Sequence, residues 1–184
     1  MSILGTSVER KEDPDLLTVG GMYVDDLAPA DAVHAVFVRS TMAHAEITGV
    51  DTADAASEPG VVGVYTASDL DLTARPPSMG LLNQDMLRTW LATDRARYVG
   101  EPIAVVVANS RNEAIDAAEM VVVDYEPLPP VVSMDDALSD TTLLFPDAGT
   151  NKAFTVPGGA DNGFFDGCEV TVDLTFRNHR LAPC

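Results

Sequence analysis

The sequence predicts an α+β fold: a mixed β-sheet with two or more helices packed on it. Two observations carry this. The stretch Arg97–Pro130 reads as strand, helix, strand, and three further runs upstream of it have strand character with only short helical signals between them. Ile103–Ala108 is an unbroken apolar run rich in β-branched residues, the pattern of a strand covered on both faces, because a strand with one wet face alternates. Asn109 and Ser110 punctuate it. Ser110 followed three residues later by Glu113 makes a capping box: the hydroxyl takes a free N–H and the glutamate reaches back to the cap. Ala114, Ile115, Ala117, Ala118 and Met120 supply the buried stripe of the helix. Val121–Tyr125 is the next strand, ended by Pro127, Pro129 and Pro130, which offer no N–H to a ladder. If these two strands are parallel neighbours, their crossover is right-handed.

In chain order, residues 5–13 are polar and aperiodic and read as an extended arm. Gly20 and Gly21 precede Tyr23 and permit a tight turn with positive φ. Val33–Arg39 is the first strand, and Ala45–Val50 the second. Asp51 is a good N-cap for a short helix through Ala56, which Pro59 and Gly60 stop. Val61–Thr66 is the third strand, and residues 67–70 form a helical turn. From Asp71 to Ala92 the chain is a loop, with Gln84–Leu91 able to carry a helical turn. After Pro130 come a short strand at Val131–Val132 and a short helix capped by Ser133. Residues 147–167 are rich in Gly, Asn and Asp and cross the surface. Cys168–Phe176 alternates strictly and reads as a final strand. The expected organisation is one domain over 1–184: an arm at 1–30, a core at 31–140, and a surface loop plus final strand at 141–184.

Composition narrows the function classes. With 46% hydrophobic residues and no low-complexity tract the 184-residue chain is globular. No run approaches the roughly 20 apolar residues of a membrane span, and the first residues lack a basic n-region and an apolar h-region, so the expected location is cytoplasmic. The net charge is −18, with 29 acidic against 11 basic residues. A nucleic-acid partner needs a basic footprint, so none is expected. The plain reading is an acidic, solubilising surface; the sharper one is adaptation to high salt or to a basic partner.

No catalytic or metal constellation is visible. His34, His44 and His179 have no second histidine at i+3 or i+4, and each reads as a surface or satisfied structural residue. Cys168 and Cys184 belong to no metal-ligand spacing, and Cys168 has no basic or histidine neighbour to lower its pKa. Asp25–Asp26 and Asp135–Asp136 are adjacent carboxylates, but neighbours on a strand point to opposite faces, and turn or helix N-terminal roles explain them. Catalytic, cofactor-binding and metal residues are therefore expected to be absent. Gly100–Glu101–Pro102 is the motif of interest. Gly100 turns the backbone, Pro102 starts a strand, and Glu101 caps or pairs with Arg97. The functional alternative is a contact with a neighbouring domain or subunit, in which the amphipathic Tyr98 would share.

Several of these stretches together resemble one family. Arg97–Val132, with its Tyr-Val-Gly-Glu-Pro opening and Val-Asp-Tyr-Glu-Pro-Leu-Pro ending, resembles the N-terminal hammerhead domain of the molybdenum hydroxylase large subunits: xanthine dehydrogenase, aldehyde oxidase and carbon monoxide dehydrogenase. Arg10, Glu12–Asp13, Leu16–Leu17, Gly21, Tyr23 and Asp25–Asp26 match that subunit's opening, and Pro59–Leu70 matches a further run. The loop that in the family usually reads Ser-Pro-His-Ala-His-Ala departs here: Thr41 and Met42 replace the proline and first histidine, while Ala43–His44–Ala45 remains. Asn178–Pro183 resembles the start of the segment that leads into the molybdopterin-binding domains.

The resemblance implies a hammerhead-type α+β fold and a complete enzyme that oxidises aldehydes, N-heterocycles or carbon monoxide. That enzyme would use molybdopterin, [2Fe–2S] clusters and FAD, none of them held by this chain. Its partners would be the molybdopterin-binding domains or subunit, an iron–sulfur subunit and an FAD subunit. The catalytic cysteine of the carbon monoxide dehydrogenase branch lies in the portion beyond Cys184, so neither Cys168 nor Cys184 corresponds to it. The expected role is a scaffold that is inactive alone. The alternatives are an isolated truncated domain, or a stand-alone assembly or binding protein. The ending at Leu181–Ala182–Pro183–Cys184, with few polar or capping residues, favours a chain that continues.

Overall fold

The computed structural model describes residues 4–5, 7–8, 10–27, 29–156 and 163–176, apart from the side chain of residue 25. The chain divides into two compact units, Met1–Ala153 and Phe154–Cys184. All named strands and helices lie in the first: α1 (Asp13–Thr18), β1 (His34–Arg39), β2 (Ala45–Asp51), α2 (Ala53–Ser57), β3 (Val61–Thr66), β4 (Arg95–Ala96), β5 (Pro102–Ala108), α3 (Arg111–Glu119), β6 (Val122–Pro127) and α4 (Met134–Ser139).

The strands form two three-stranded sheets, β1–β5–β3 and β4–β2–β6, and every pairing is antiparallel. The α+β class holds, but two antiparallel sheets replace the single mixed sheet. In particular β5 and β6, joined by α3, are not neighbours. Both edges of β5 are taken by β1 and β3, so β6 pairs with β2 instead, and no parallel crossover forms.

β5 is central because its sequence is suited to burial on both faces. Ile103, Ala104, Val106 and Ala108 are buried, and Val105 and Val107 are half-buried. Burying a side chain the size of Ile103 or Val106 contributes about 1.5–3 kcal/mol. α3 packs on β1 and β5, and α2 on β3. Ala55, Ala114 and Ala117 are fully buried where these helices lie, and their small side chains allow close approach. Ser110 caps α3 as expected, accepting from the Glu113 N–H at 3.3 Å. The Glu113 carboxylate accepts from the Ser110 hydroxyl at 2.8 Å rather than from the cap N–H. The buried stripe is narrower than its sequence suggests, since Ile115 and Met120 are exposed. In α4, Ser133 accepts from the Asp136 N–H at 3.0 Å, and Asp140 ends the helix in the left-handed region at φ 53°, a conformation Asp and Asn tolerate.

Four other expectations fail for identifiable reasons. Part of the extended arm is helical: Pro14 starts α1 at a position where a missing N–H costs nothing. Gln84–Leu91 holds a turn and a single bridge, Arg75↔Arg88, instead of a helical turn. Val131–Val132 pairs with no strand. Cys168–Phe176 also forms no strand; Val170, Val172, Leu174 and Phe176 are all more than two-thirds exposed. Alternation specifies a strand only when a partner edge and a covered face are supplied, and none is present among the described residues.

Candidate functional site

The Gly-Glu-Pro motif is a tight turn tied to the β1–β2 loop. Gly100 adopts φ 94°, open only to glycine at low cost. Its N–H donates to the Ser40 carbonyl at 2.8 Å, and the Ser40 N–H returns a bond to the Glu101 carbonyl at 2.8 Å. Arg39 Nη1 adds a third bond, to the Gly100 carbonyl at 2.9 Å. Pro102 opens β5 as anticipated, and its carbonyl accepts from Ala92 at 2.7 Å.

Glu101 is buried, 7% exposed. Its Oε2 accepts the Arg97 backbone N–H at 2.5 Å, so of the two anticipated roles it caps Arg97 and does not pair with its guanidinium. That guanidinium is used elsewhere. Arg97 Nε donates to the Leu144 carbonyl at 3.0 Å and Nη1 to the Arg95 carbonyl at 3.1 Å, and the group lies 4.8 Å from the centre of the Phe145 ring. Burial pushes the Glu101 carboxyl above its ordinary value; the Arg97 N–H and the charges of Arg97 and Arg88 pull it back only in part.

Tyr98 is 47% exposed. With Glu101, Pro102, Arg75, Arg88 and Trp90 it lines a groove of about 450 Å³. Three of the four residues singled out from sequence therefore meet at one surface feature, and the fourth, Gly100, makes the turn behind it. Arg75, Arg88 and Trp90 carried no sequence signal. They arrive through the Arg75↔Arg88 bridge, a pairing across a proline-containing loop that no local pattern announces. A second cavity, of about 340 Å³, lies between β2 and the 66–68 turn and has no titratable lining residue.

Of the other candidates, His44, Asp26, Asp135 and Asp136 take structural roles. His44 is buried; its Nδ1 donates to the Pro129 carbonyl at 2.8 Å, while Nε2 has no protein partner. Asp26 accepts the Tyr23 N–H at 2.9 Å within a turn. Asp135 and Asp136 sit in the first turn of α4, where the helix dipole favours them. Cys168 is exposed. His179 and Cys184 lie outside the described residues. Among the described residues no three His, Cys, Asp or Glu side chains gather as a metal site, and no helix is long and apolar enough to cross a membrane.

Residues 18–129 match the family described as aldehyde oxidase and xanthine dehydrogenase, a/b hammerhead domain. The chain is 42% identical over 132 residues to the nicotine 6-hydroxylase large subunit of Paenarthrobacter nicotinovorans, covering 69% of this chain and 16% of that one. It is 33% identical over 190 residues to the carbon monoxide dehydrogenase large chain of Hydrogenophaga pseudoflava, covering 95% and 23%. Among solved structures, quinoline 2-oxidoreductase from Pseudomonas putida 86 superposes with a TM-score of 0.65 at 40% identity, covering 73% of this chain and 17% of that one. The aldehyde oxidoreductase of Desulfovibrio desulfuricans gives 0.70 at 28% identity, covering 80% and 17%. The chain thus spans about a sixth to a quarter of the length of these relatives. With two antiparallel sheets, packed helices and these similarities together, the chain belongs to the a/b hammerhead-domain family of the aldehyde oxidases and xanthine dehydrogenases.

Proposed function

We propose that this chain is the scaffold part of a molybdenum-dependent hydroxylase, positioning the molybdopterin-binding portion against the iron–sulfur and FAD components in the cytoplasm. The complete enzyme would oxidise an aldehyde, an N-heterocycle or carbon monoxide. The observation that carries the reading is a half-open apolar sheet face. Phe37, Val105 and Tyr65 are directly opposed across β1, β5 and β3, so their side chains share one face. The helices occupy the other face, where Ala104, Val106 and Ala108 are fully buried. Phe37 remains 45% and Tyr65 36% exposed. A contiguous apolar row of this kind marks a surface that another element covers, and relatives of the chain have several times its length.

The described residues that line the groove do not fit a molybdenum centre. The groove presents two guanidiniums, two aromatic rings and prolines, and its one carboxylate already holds a backbone N–H. When bound in the complete enzyme, the cofactor supplies oxygen-transfer and electron-accepting chemistry. This chain's share is to hold neighbouring parts in register and keep water from the covered face.

The test is V105R, in the middle of the row. In the 184-residue chain Val105 is only half-buried, so the substitution lowers the urea-unfolding free energy by about 1–2 kcal/mol. In the enzyme from the native host it buries a charge against the covering portion, and molybdenum per copy of this sequence falls at least tenfold. Unchanged molybdenum content would sink the scaffold reading.

A further inference from the structure

We propose that the groove beside Tyr98 and Trp90 is a docking site for a carboxylate-bearing polypeptide segment contributed by the rest of the enzyme, held by the paired Arg75 and Arg88 guanidiniums. The proposal rests on the scaffold reading and names the chemistry of one of its contacts.

The central observation is the Arg75↔Arg88 bridge. Each residue's N–H donates to the other's carbonyl, at 2.8 and 3.0 Å, so the two residues are directly opposite and their side chains leave on one face. Like charges in that position repel. Neither guanidinium makes a hydrogen bond or ion pair among the described residues, although the chain carries 29 acidic residues. Their neighbours behave differently. Arg95 reaches Glu46 at 3.4 Å, and Arg97 is bonded to two carbonyls. Glu101 feels the charge of Arg88, but it is committed to the Arg97 N–H and forms no ion pair with either groove arginine.

The remaining lining completes a recognition surface. Trp90 is 68% exposed, Tyr98 stands beside it, and Pro76 and Pro77 give the wall rigidity. Trp, Tyr and Arg are the residues that dominate protein interfaces. Two guanidiniums across a bridge match a carboxylate, which accepts paired N–H donors, and the aromatic rings would pack on the residues flanking it. The volume of about 450 Å³ takes a few side chains rather than a long polymer. A nucleic-acid backbone is disfavoured, because a chain of net charge −18 repels a polyanion.

R88K in the assembled enzyme keeps the charge and places an amine where a water-soluble carbodiimide can join it to a contacting carboxylate. The expected result is a cross-linked peptide between position 88 and an Asp or Glu outside residues 1–184. R75E/R88E should reduce recovery of the assembled enzyme at least tenfold, while R75K/R88K, which keeps the charge and loses the paired N–H donors, reduces it less than the double reversal does. A cross-link only to this sequence's own carboxylates, one between two copies of it, or none would overturn the proposal. So would sub-millimolar binding of inorganic phosphate that both arginine reversals abolish with assembly intact, which would make the groove a small-anion site. V105R separates the two ideas. If it blocks assembly while R88K gives no cross-link, the scaffold reading stands and the docking site falls. If V105R assembles normally, the scaffold reading itself falls.

Discussion

Replacing Gly60 with alanine isolates the contact that joins β3 to the cap of α3. Gly60 has φ 81°, and an L-residue pays about 1–2 kcal/mol to sit there. A Cβ at this position would also lie 2.3 Å from the Glu113 carboxylate. That carboxylate is the end of a flexible side chain, so it can swing away and no large clash persists. What it forfeits is the 2.8 Å bond from the Ser110 hydroxyl, about 0.5–1.5 kcal/mol. Together these costs come to about 1.5–3.5 kcal/mol. Urea unfolding of the 184-residue chain measures it, and a cycle with E113A separates the parts. In the E113A background only the backbone term remains, so G60A should cost about 1 kcal/mol less there than in the parent chain. Equal costs in both backgrounds would refute the argument that Gly60 makes room for the capping carboxylate.

E101Q keeps an acceptor for the Arg97 N–H and removes the buried charge. Because burial raises the folded-state carboxyl above its ordinary value of 4.5, the wild-type contribution is fully present below that value and is lost as pH rises through the raised one. Thermal melts should therefore show E101Q above wild type at pH 7, with the gap closing below pH 4.5; a gap that grows on acidification would contradict the buried-charge argument. N151A removes the acceptor of the Leu144 N–H at 3.0 Å and the donor to the Thr142 carbonyl at 2.7 Å. With the longer bond from its Nδ2 to the Ala137 carbonyl at 3.4 Å, three lost hydrogen bonds predict about 2–3 kcal/mol less stability by urea unfolding, and a change under about 0.5 kcal/mol would count against that loop's role in the fold.

What the sequence announces here is local chemistry. The β5 run, the Ser110 and Ser133 caps and the stops at Pro59–Gly60 all act within a few residues, and each is found where it was read. Partner choice is not local. Ile103–Ala108 signals a buried strand, but only the competition between β1, β3 and β6 decides which edges it accepts. Cys168–Phe176 shows the same point in reverse, since its alternation describes a face and not a partner. The site divides similarly. Gly100 and Pro102 are backbone punctuation and read directly, whereas Arg75, Arg88 and Trp90 reach Tyr98 through a bridge between loop segments that have no period. His44 lay in a family-like loop, yet its burial against the Pro129 carbonyl has no counterpart in the sequence pattern.

Denaturing mass spectrometry combined with metal analysis of the protein purified from its native host tests the scaffold role most directly. This sequence should be recovered together with a molybdenum-carrying portion, in the same polypeptide or a second one, at one molybdenum per copy. Recovery alone at 19.5 kDa without molybdenum, or with stoichiometric metal bound by residues 1–184 themselves, would contradict it.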